Sequence, residues 1–334
     1  MKCTYDYERE LFREVKPSMR YVGGDLKVWQ KAAREKLGEL LGLDRMLPAV
    51  PDLRIEWERE RESYTEMRFT FRSEPGYYVP AHLLLPKGVK KPPLMICLQG
   101  HSPGMYISLG VVKQEKDELS IRGGNRDFCI RAVREGYAAI CMEQRSFGEL
   151  KKPNKELDAC LEPAMTALLM GRTTLGERVW DVSRLIDVAE KYFADKVDVK
   201  TICLMGNSGG GTATAYAAAL EDRITLAMPS SAICTFRDSI GALHHCSCNY
   251  VPRIGLYFDM GDLIAMAAPK YYVQVNGAED KIFPLVGAIE CFEQGRKAYD
   301  FLGCSDRLTH VIGEEGHRFY ADKAWRVVHA YLGR

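Results

Sequence analysis

Residues 1–50 carry hydrophobic side chains at helical spacing, most clearly over residues 26–41. Apolar positions recur there three and four residues apart, so that they fall on one face of a helix. Gly42 and Pro48 follow this stretch, and both residue types are typical of a helix end. The pattern therefore predicts a helical N-terminal extension over residues 1–50.

From residue 51 onwards the hydrophobic pattern becomes that of a sheet. Residues 53–71 and 77–85 alternate apolar and polar side chains, which predicts antiparallel strands. Short apolar runs then alternate with longer helical stretches, and this alternation indicates a mostly parallel sheet flanked by helices. We therefore predict an α/β fold and a single domain over residues 51–334. The alternating segments fall at 94–98, 125–135, 137–142, 175–193, 201–205, 210–220, 224–229, 271–276, 287–300 and 308–312.

The sequence Gly206-Asn207-Ser208-Gly209-Gly210 lies between one of these predicted strands and the helix that follows it. A G-x-S-x-G motif between a strand and a helix is typical of a nucleophile elbow, a tight turn that exposes the serine hydroxyl. The alternative is a glycine-rich loop that turns the chain or holds a phosphate, but the lysine of a phosphate-binding loop is missing. We therefore interpret Ser208 as a nucleophile.

A serine nucleophile needs a histidine base and an acid that orients it, and in this context both follow the serine along the chain. His317 lies on a loop after the last predicted strand, whereas His310 falls inside that strand and His329 inside a helix. His317 is therefore the predicted base. Asp280 follows the preceding strand and is the predicted acid, with Glu279 as its competitor. For either carboxylate the alternative is a solvated turn residue.

Backbone N–H groups for an oxyanion should come from the loop after the buried strand at 94–98. We predict that the N–H groups of His101 and Gly209 point into one oxyanion hole. The His101 side chain could act as a second base, but we favour a place in the wall of the pocket. The active sites of open α/β sheets lie at the carboxyl ends of strands. All four residues expected at this site follow predicted strands: Ser208, His101, Asp280 and His317.

These motifs resemble the α/β-hydrolases, and among them the bacterial acetyl xylan esterases and dienelactone-hydrolase-like serine esterases. The resemblance covers residues 50–334. It implies a serine carboxylic-ester hydrolase that works by Ser-His-Asp acyl transfer without a cofactor and removes short acyl groups, acetyl above all, from a carbohydrate or related small ester. Dienelactone hydrolases proper use a cysteine where this chain has Ser208, which disfavours their activity. The residues that carry the resemblance are the elbow, 99–101, 143–149, 176–181, 246–252, Asp262-Leu263, 267–269, Asp280 and Gly316-His317.

The same resemblance implies residues that bind the substrate. They are Gln99, which stands where a His-Gly pair is usual, together with Arg145, Trp180 and Tyr250. Two less regular stretches, near residues 150–174 and 235–268, are expected to form the rim of the pocket.

Other functions with this fold remain open at this stage. A glucuronoyl methylesterase or another sugar-ester hydrolase is the nearest rival. A peptidase of the prolyl-oligopeptidase type shares the triad, but this chain lacks room for the propeller of those enzymes. A non-catalytic small-molecule binding protein is the third alternative, although such proteins commonly lose a triad member.

The charge and hydropathy of the chain limit the classes of partner that it is expected to bind. The chain has 46 basic and 45 acidic residues, a net charge of +1, so no bulk charge favours nucleic acid or an anionic membrane. No apolar run reaches the length of a membrane span, and the N-terminus lacks the apolar core of a signal peptide. We therefore expect a cytoplasmic protein whose partner is a small-molecule or oligosaccharide ester. Assembly into a homo-oligomer stays open.

The chain contains 11 cysteines, an odd number. Cys97, Cys141 and Cys203 lie inside apolar strand-like runs, so reduced, buried thiols are the economical interpretation. The sequence Cys246-Ser247-Cys248, next to His244-His245, raises the question of a metal site. Its C-x-C spacing lacks the second cysteine pair that structural zinc usually requires, so we expect packing in the pocket wall and no metal.

Overall fold

The computed structural model describes residues 1–101, 104–152 and 159–333. Within them, nine strands form one sheet in the order β1-β2-β3-β5-β4-β6-β7-β8-β9. The first three strands and β5 pair antiparallel, and the sheet is parallel from β5 through β9. The strands are β1 (Leu53–Glu60), β2 (Tyr64–Glu74), β3 (Tyr77–Pro86), β4 (Pro93–Leu98), β5 (Ala138–Met142), β6 (Asp198–Asn207), β7 (Ile224–Ser230), β8 (Tyr271–Gly277) and β9 (Leu308–Gly313).

Helices alternate with the parallel strands, which confirms the predicted α/β fold with its antiparallel start. The predicted rim at 150–174 includes residues 153–158, which lie outside the described residues, and its second half forms a helix. The helices are α1 (Thr4–Glu14), α2 (Leu26–Leu41), α3 (Glu115–Glu118), α4 (Phe128–Arg134), α5 (Leu161–Leu169), α6 (Thr174–Tyr192), α7 (Gly209–Leu220), α8 (Met260–Ala267), α9 (Leu285–Leu302) and α10 (Ala321–Leu332).

The position of β4 at the centre of the sheet explains why its sequence is an unbroken apolar run. Leu94, Ile96 and Leu98 point into one core, to which α2 and α6–α9 contribute, while Met95 and Cys97 point into the opposite core with α4 and α10. All five side chains are fully buried. A parallel strand covered by helices on both faces needs apolar side chains at every position.

The N-terminal region packs mainly through α2, while α1 contributes the partly buried Phe12. In α2 the buried residues include Ala33, Leu37 and Leu41, which share one helical face, whereas α1 has no buried residue. Gly42 ends α2 in the left-handed region at φ 72°, as the sequence predicted. Among the helices of the described residues, none is long and apolar enough to cross a bilayer.

The strand order places two loops at the centre of the sheet edge. From β4 the chain crosses to β5 on one side and later returns to β6 on the other side. Loops that leave β4 and β6 therefore diverge at a topological switch point, where α/β proteins place their ligand crevice. Gly100 follows β4 and Ser208 follows β6. A Cβ atom on Gly100 would lie 2.9 Å from the Cβ atom of Ser208.

Candidate active site

Ser208 occupies a strained turn between β6 and α7. Its backbone has φ 55° and ψ −124°, a conformation that non-glycine residues rarely adopt. Glycine is required around it, because a Cβ atom on Gly206 would lie 2.4 Å from the carbonyl carbon of Gly210, and one on Gly210 would lie 2.1 Å from the Leu98 carbonyl oxygen. The Ser208 N–H donates to the Ser230 carbonyl at 2.9 Å. This is the geometry expected of a nucleophile elbow.

Asp280, which is buried, and His317, which is half-buried, form a hydrogen-bonded pair after the ends of β8 and β9. The distance from His317 Nδ1 to Asp280 Oδ2 is 2.8 Å. Asp280 Oδ1 accepts hydrogen bonds from the backbone N–H groups of Ile282, at 2.8 Å, and Phe283, at 3.1 Å. Because an ionised carboxylate only accepts hydrogen bonds, Nδ1 carries the proton and Nε2 of the neutral ring is free to act as a base.

The pKa of Asp280 follows from these contacts. Burial alone would raise the pKa of the carboxyl group, but the hydrogen bond from His317 outweighs it, aided by attraction to the His317 ring when that ring is protonated and by the two backbone donors. The net result is a pKa below the usual value, so Asp280 stays ionised at neutral pH.

Loop contacts hold the His317 ring in place. The Glu279 N–H donates to the Glu315 carbonyl at 2.9 Å, which joins the loop after β8 to the loop after β9. The Phe283 ring stacks on His317, with ring centres 5.9 Å apart and planes inclined by 17°. Glu279 itself is exposed, whereas Asp280 is buried and reaches the ring. Among the described residues no hydrogen bond joins the Ser208 hydroxyl to His317, and such bonds often form only with substrate present.

The loop after β4 lies directly against the elbow. A Cβ atom on Gly100 would lie 3.5 Å from the Gly209 backbone nitrogen, and one on Gly209 would lie 3.0 Å from His101 Nδ1. The His101 ring also packs edge-on against Phe147, with ring centres 4.7 Å apart. The two predicted oxyanion residues are therefore neighbours across the switch point.

A buried carboxyl group supports that loop. Glu143, just after β5, accepts hydrogen bonds from the backbone N–H groups of Met105, at 3.2 Å, and Glu149, at 3.2 Å. Burial raises the pKa of Glu143 to about 7, although those two hydrogen bonds oppose the rise. Glu143 thus links the chain after the β4 loop to the chain after β5.

Gln99 and Tyr250, two of the residues suggested for substrate binding, differ in their exposure. Gln99 is buried and donates to the Ser108 hydroxyl at 2.7 Å and to the Arg126 carbonyl at 2.8 Å. Tyr250 is exposed and borders a cavity between α1 and residues 236–256.

Arg145 and Trp180 lie in a polar network at the base of α6. The Arg145 guanidinium contacts both carboxylate oxygens of Asp181 at 2.8 Å and the Glu74 carboxylate at 2.7 Å. Trp180 Nε1 donates to the Ser73 carbonyl at 3.1 Å. A guanidinium paired in this way is already neutralised, which leaves it few donors for a ligand.

His245, the second residue of the His244-His245 pair, has no role predicted from the sequence. Its ring packs against Phe283, with ring centres 5.3 Å apart. The Ser239 hydroxyl donates to the Ile282 carbonyl at 2.6 Å, so its oxygen accepts from His245 Nε2 at 3.0 Å. Burial lowers the pKa of His245 to about 4, and repulsion from the neighbouring histidine rings, when they are protonated, adds to this shift.

A neutral His245 should make stability depend on pH. The unfolded chain binds a proton at this residue near pH 6.5 and the folded chain only near pH 4, so the folded state loses stability as pH falls through that window. We expect His245→Gln to remove this loss, on the order of 2–3 kcal/mol at pH 4 relative to pH 7. Urea unfolding of both proteins from pH 4 to 7 measures it. Parallel curves would mean that His245 protonates in the folded protein.

Comparison with known proteins finds esterases among the relatives. A sequence profile described as "Glucuronyl esterase, fungi" matches residues 171–234, which span α6, the elbow and β7. Over 298 residues the chain is 26% identical to a Bacillus subtilis (strain 168) protein named only as a hydrolase, YtaP. That match covers 85% of this chain and 92% of the relative.

Solved structures agree over nearly the whole chain. A Bacteroides fragilis (NCTC 9343) protein assigned as an acetyl xylan esterase superimposes with a TM-score of 0.76 at 17% identity, covering 97% of this chain and 84% of that one. A glucuronoyl esterase from Solibacter usitatus gives a TM-score of 0.67 at 17% identity, covering 96% and 98%. At these identities the likeness establishes the shared fold, as predicted from the elbow and the order of strands.

Proposed function

We propose that this chain, a member of the α/β-hydrolase superfamily, is a serine esterase that hydrolyses an ester on a carbohydrate. One observation carries the proposal: the strained Ser208 and the hydrogen-bonded Asp280–His317 pair follow parallel strands at the same edge of the sheet. Serine in such a turn, with a histidine whose free nitrogen can accept a proton, fits acyl transfer.

The reaction proceeds in two steps. His317 Nε2 takes the hydroxyl proton of Ser208 as its oxygen attacks the ester carbonyl, and the proton is then given to the departing alcohol, which leaves an acyl-serine. Water repeats the sequence: His317 removes its proton, the acid is released, and the proton returns to Ser208. Asp280 stabilises the imidazolium that forms in each step.

The oxyanion of each tetrahedral intermediate is placed against the backbone N–H groups of His101 and Gly209. The approach of Gly100 to both Ser208 and Gly209 supports this placement, because it brings the loop after β4 to the carbonyl carbon under attack. A donor in an oxyanion hole is typically worth about 10²–10³ in kcat.

Two substrate classes deserve comparison. Removal of a short acyl group, acetyl first, from a carbohydrate is supported by the Bacteroides fragilis structure assigned as an acetyl xylan esterase and by the resemblance of the site motifs. Hydrolysis of a glucuronoyl ester is supported by the profile that spans the elbow and by the neighbouring glucuronoyl esterase structure. In the first class the sugar is the alcohol, and in the second it supplies the acyl group.

A substrate panel tests the proposal. Purified protein is incubated with p-nitrophenyl acetate, butyrate and octanoate, with acetylated xylo-oligosaccharide, and with the methyl and benzyl esters of glucuronic acid. Acetate release from the oligosaccharide identifies a carbohydrate acetylesterase, and release of glucuronic acid identifies a glucuronoyl esterase. Folded protein that is silent on every ester would overturn the proposed function.

A further inference from the structure

Four side chains of the kinds that can ligate a metal, from three separate segments, meet beside the elbow. They are His101 after β4, Cys160 before α5, and Cys246 and Cys248 in the rim segment between β7 and α8. One ligand atom of each lies within 4.8 Å of all the others, and His101 Nε2 lies 3.2 Å from Cys248 Sγ. In a tetrahedral zinc site the ligand atoms are about 3.3–3.8 Å apart, because Zn–N and Zn–S distances are near 2.0 and 2.3 Å.

A buried cation faces the sulfur atoms. Arg178 on α6 is fully buried, and its guanidinium reaches Cys248 Sγ at 3.4 Å and Cys160 Sγ at 3.9 Å. Its other contacts are the Arg145 carbonyl, at 2.9 Å, and the face of Phe147, 4.1 Å away. No carboxylate in the described parts of the chain pairs with it.

Because no carboxylate in the described ranges balances the charge of Arg178, this residue favours negatively charged sulfur atoms beside it. A buried guanidinium without an anionic partner is strongly destabilising. With neutral thiols, or with a disulfide, the described residues would leave Arg178 without a countercharge. Three thiolates around a divalent cation carry a net charge of −1, and Arg178 brings the assembly to zero.

We propose that Cys160, Cys246, Cys248 and His101 bind one zinc ion. Three sulfur ligands and one imidazole nitrogen form a common structural zinc set, and a divalent ion of this softness suits thiolates better than Mg²⁺ or Ca²⁺ would. Binding displaces the three thiol protons to solvent. With all four positions filled by protein the site is closed, so the ion has a structural role and takes no part in the reaction.

The proposed ion ties the rim to the oxyanion loop. It joins the chain before α5 and the segment 246–248 to His101, whose backbone N–H is assigned to the oxyanion. Coordination through Nε2 also leaves the ring proton on Nδ1, the nitrogen that lies 3.0 Å from the Cβ position of Gly209. The ion therefore fixes both the position and the tautomer of His101.

A zinc ion at Cys246 and Cys248 differs from the expectation from the sequence, which is packing in the pocket wall and no metal. C-x-C spacing alone lacks two ligands, and the fold supplies them from His101 and Cys160, far away in the chain. Neither His244 nor His245 belongs to the cluster.

Metal analysis of the intact protein tests the proposal. Protein purified under reducing conditions and without chelators is measured by inductively coupled plasma and native mass spectrometry, and after exchange into Co²⁺ its absorption spectrum is recorded. We expect about one zinc per chain, and a thiolate-to-cobalt charge-transfer band with the visible bands of tetrahedral cobalt. Less than about a tenth of this zinc, with no cobalt–thiolate band in the folded protein, would overturn it.

Matched variants locate the ion. Cys246 is only partly buried, so Cys246→Ser should fold and yet retain zinc at least about tenfold more weakly in a chelator competition. Cys248→Ala is the second ligand variant. Cys3→Ser, an exposed cysteine beside α1, is the control and should bind zinc as the wild type does. Equal retention by all four proteins, or a disulfide among the three cysteines of the reduced preparation, would contradict the site. None of these readings depends on esterase activity.

Discussion

Replacing Ser208 with alanine is expected to lower kcat for ester hydrolysis by about 10⁵–10⁶-fold. The substitution removes the only oxygen at the elbow that can form the acyl intermediate, while the backbone already holds the strained turn. Steady-state hydrolysis of p-nitrophenyl acetate, or of the best substrate from the panel, measures the loss. Circular dichroism should be unchanged, because the lost hydroxyl makes no hydrogen bond to another described residue.

The control for this prediction is Ser305→Ala, an exposed serine in the turn before β9, which should keep full activity. A fluorophosphonate probe gives an independent reading, since it should label the peptide that contains Ser208 in the wild type and leave Ser208→Ala unlabelled. Ester hydrolysis within tenfold of the wild type in Ser208→Ala would refute the nucleophile and, with it, the proposed mechanism.

The sequence predicts most reliably what is local. The elbow is specified by neighbouring residues: an apolar strand, a serine between glycines and an alanine-rich helix. The structure explains the glycines, because Gly206 and Gly210 pass within van der Waals distance of each other and of β4. The strand and the helix can pack this closely only with glycine at these positions, so the short motif is enough to predict the turn.

Two neighbouring carboxylates show where local information stops. Asp280 and Glu279 are both acidic, both lie in the same turn, and the chain alone leaves either free to meet His317. The fold separates them, since Asp280 turns inward to the ring and to two backbone donors, while Glu279 points to solvent. The direction of each side chain depends on the loop after β9, which the sequence places only approximately.

The contacts of Arg145 are between residues far apart in the chain, which the sequence pattern does not predict. The resemblance predicts a role in substrate binding, and the structure adds ion pairs with Asp181 and Glu74, which lie 36 and 71 residues away in the chain. The proposed zinc ligands are likewise brought together only by the fold. Ion pairs and metal sites between distant segments leave no periodic signal, whereas strands, helices and the elbow do.

Replacing Asp280 with asparagine is the second large effect, and we expect kcat to fall about 10⁴-fold. The carboxylate accepts the Nδ1 proton of His317 at 2.8 Å. An amide in its place can present N–H to the ring, which favours the tautomer with the proton on Nε2, the nitrogen that must act as the base. Because the pKa of Asp280 is held below its usual value, the wild-type carboxylate is ionised across neutral pH and always favours the productive tautomer.

Glu279→Gln is the matched control, because it makes the same chemical change one residue away on an exposed side chain and should leave kcat within about twofold of the wild type. The comparison is measured on one substrate at one pH, with unfolding in urea to show that both variants are folded. If Glu279→Gln proved the damaging change and Asp280→Asn the mild one, the acid would be Glu279, and the loop would have to rearrange when substrate binds. Loss of activity in Asp280→Asn alone ties the Asp280–His317 hydrogen bond to the reaction, since the two variants make the same chemical change and only Asp280 reaches His317.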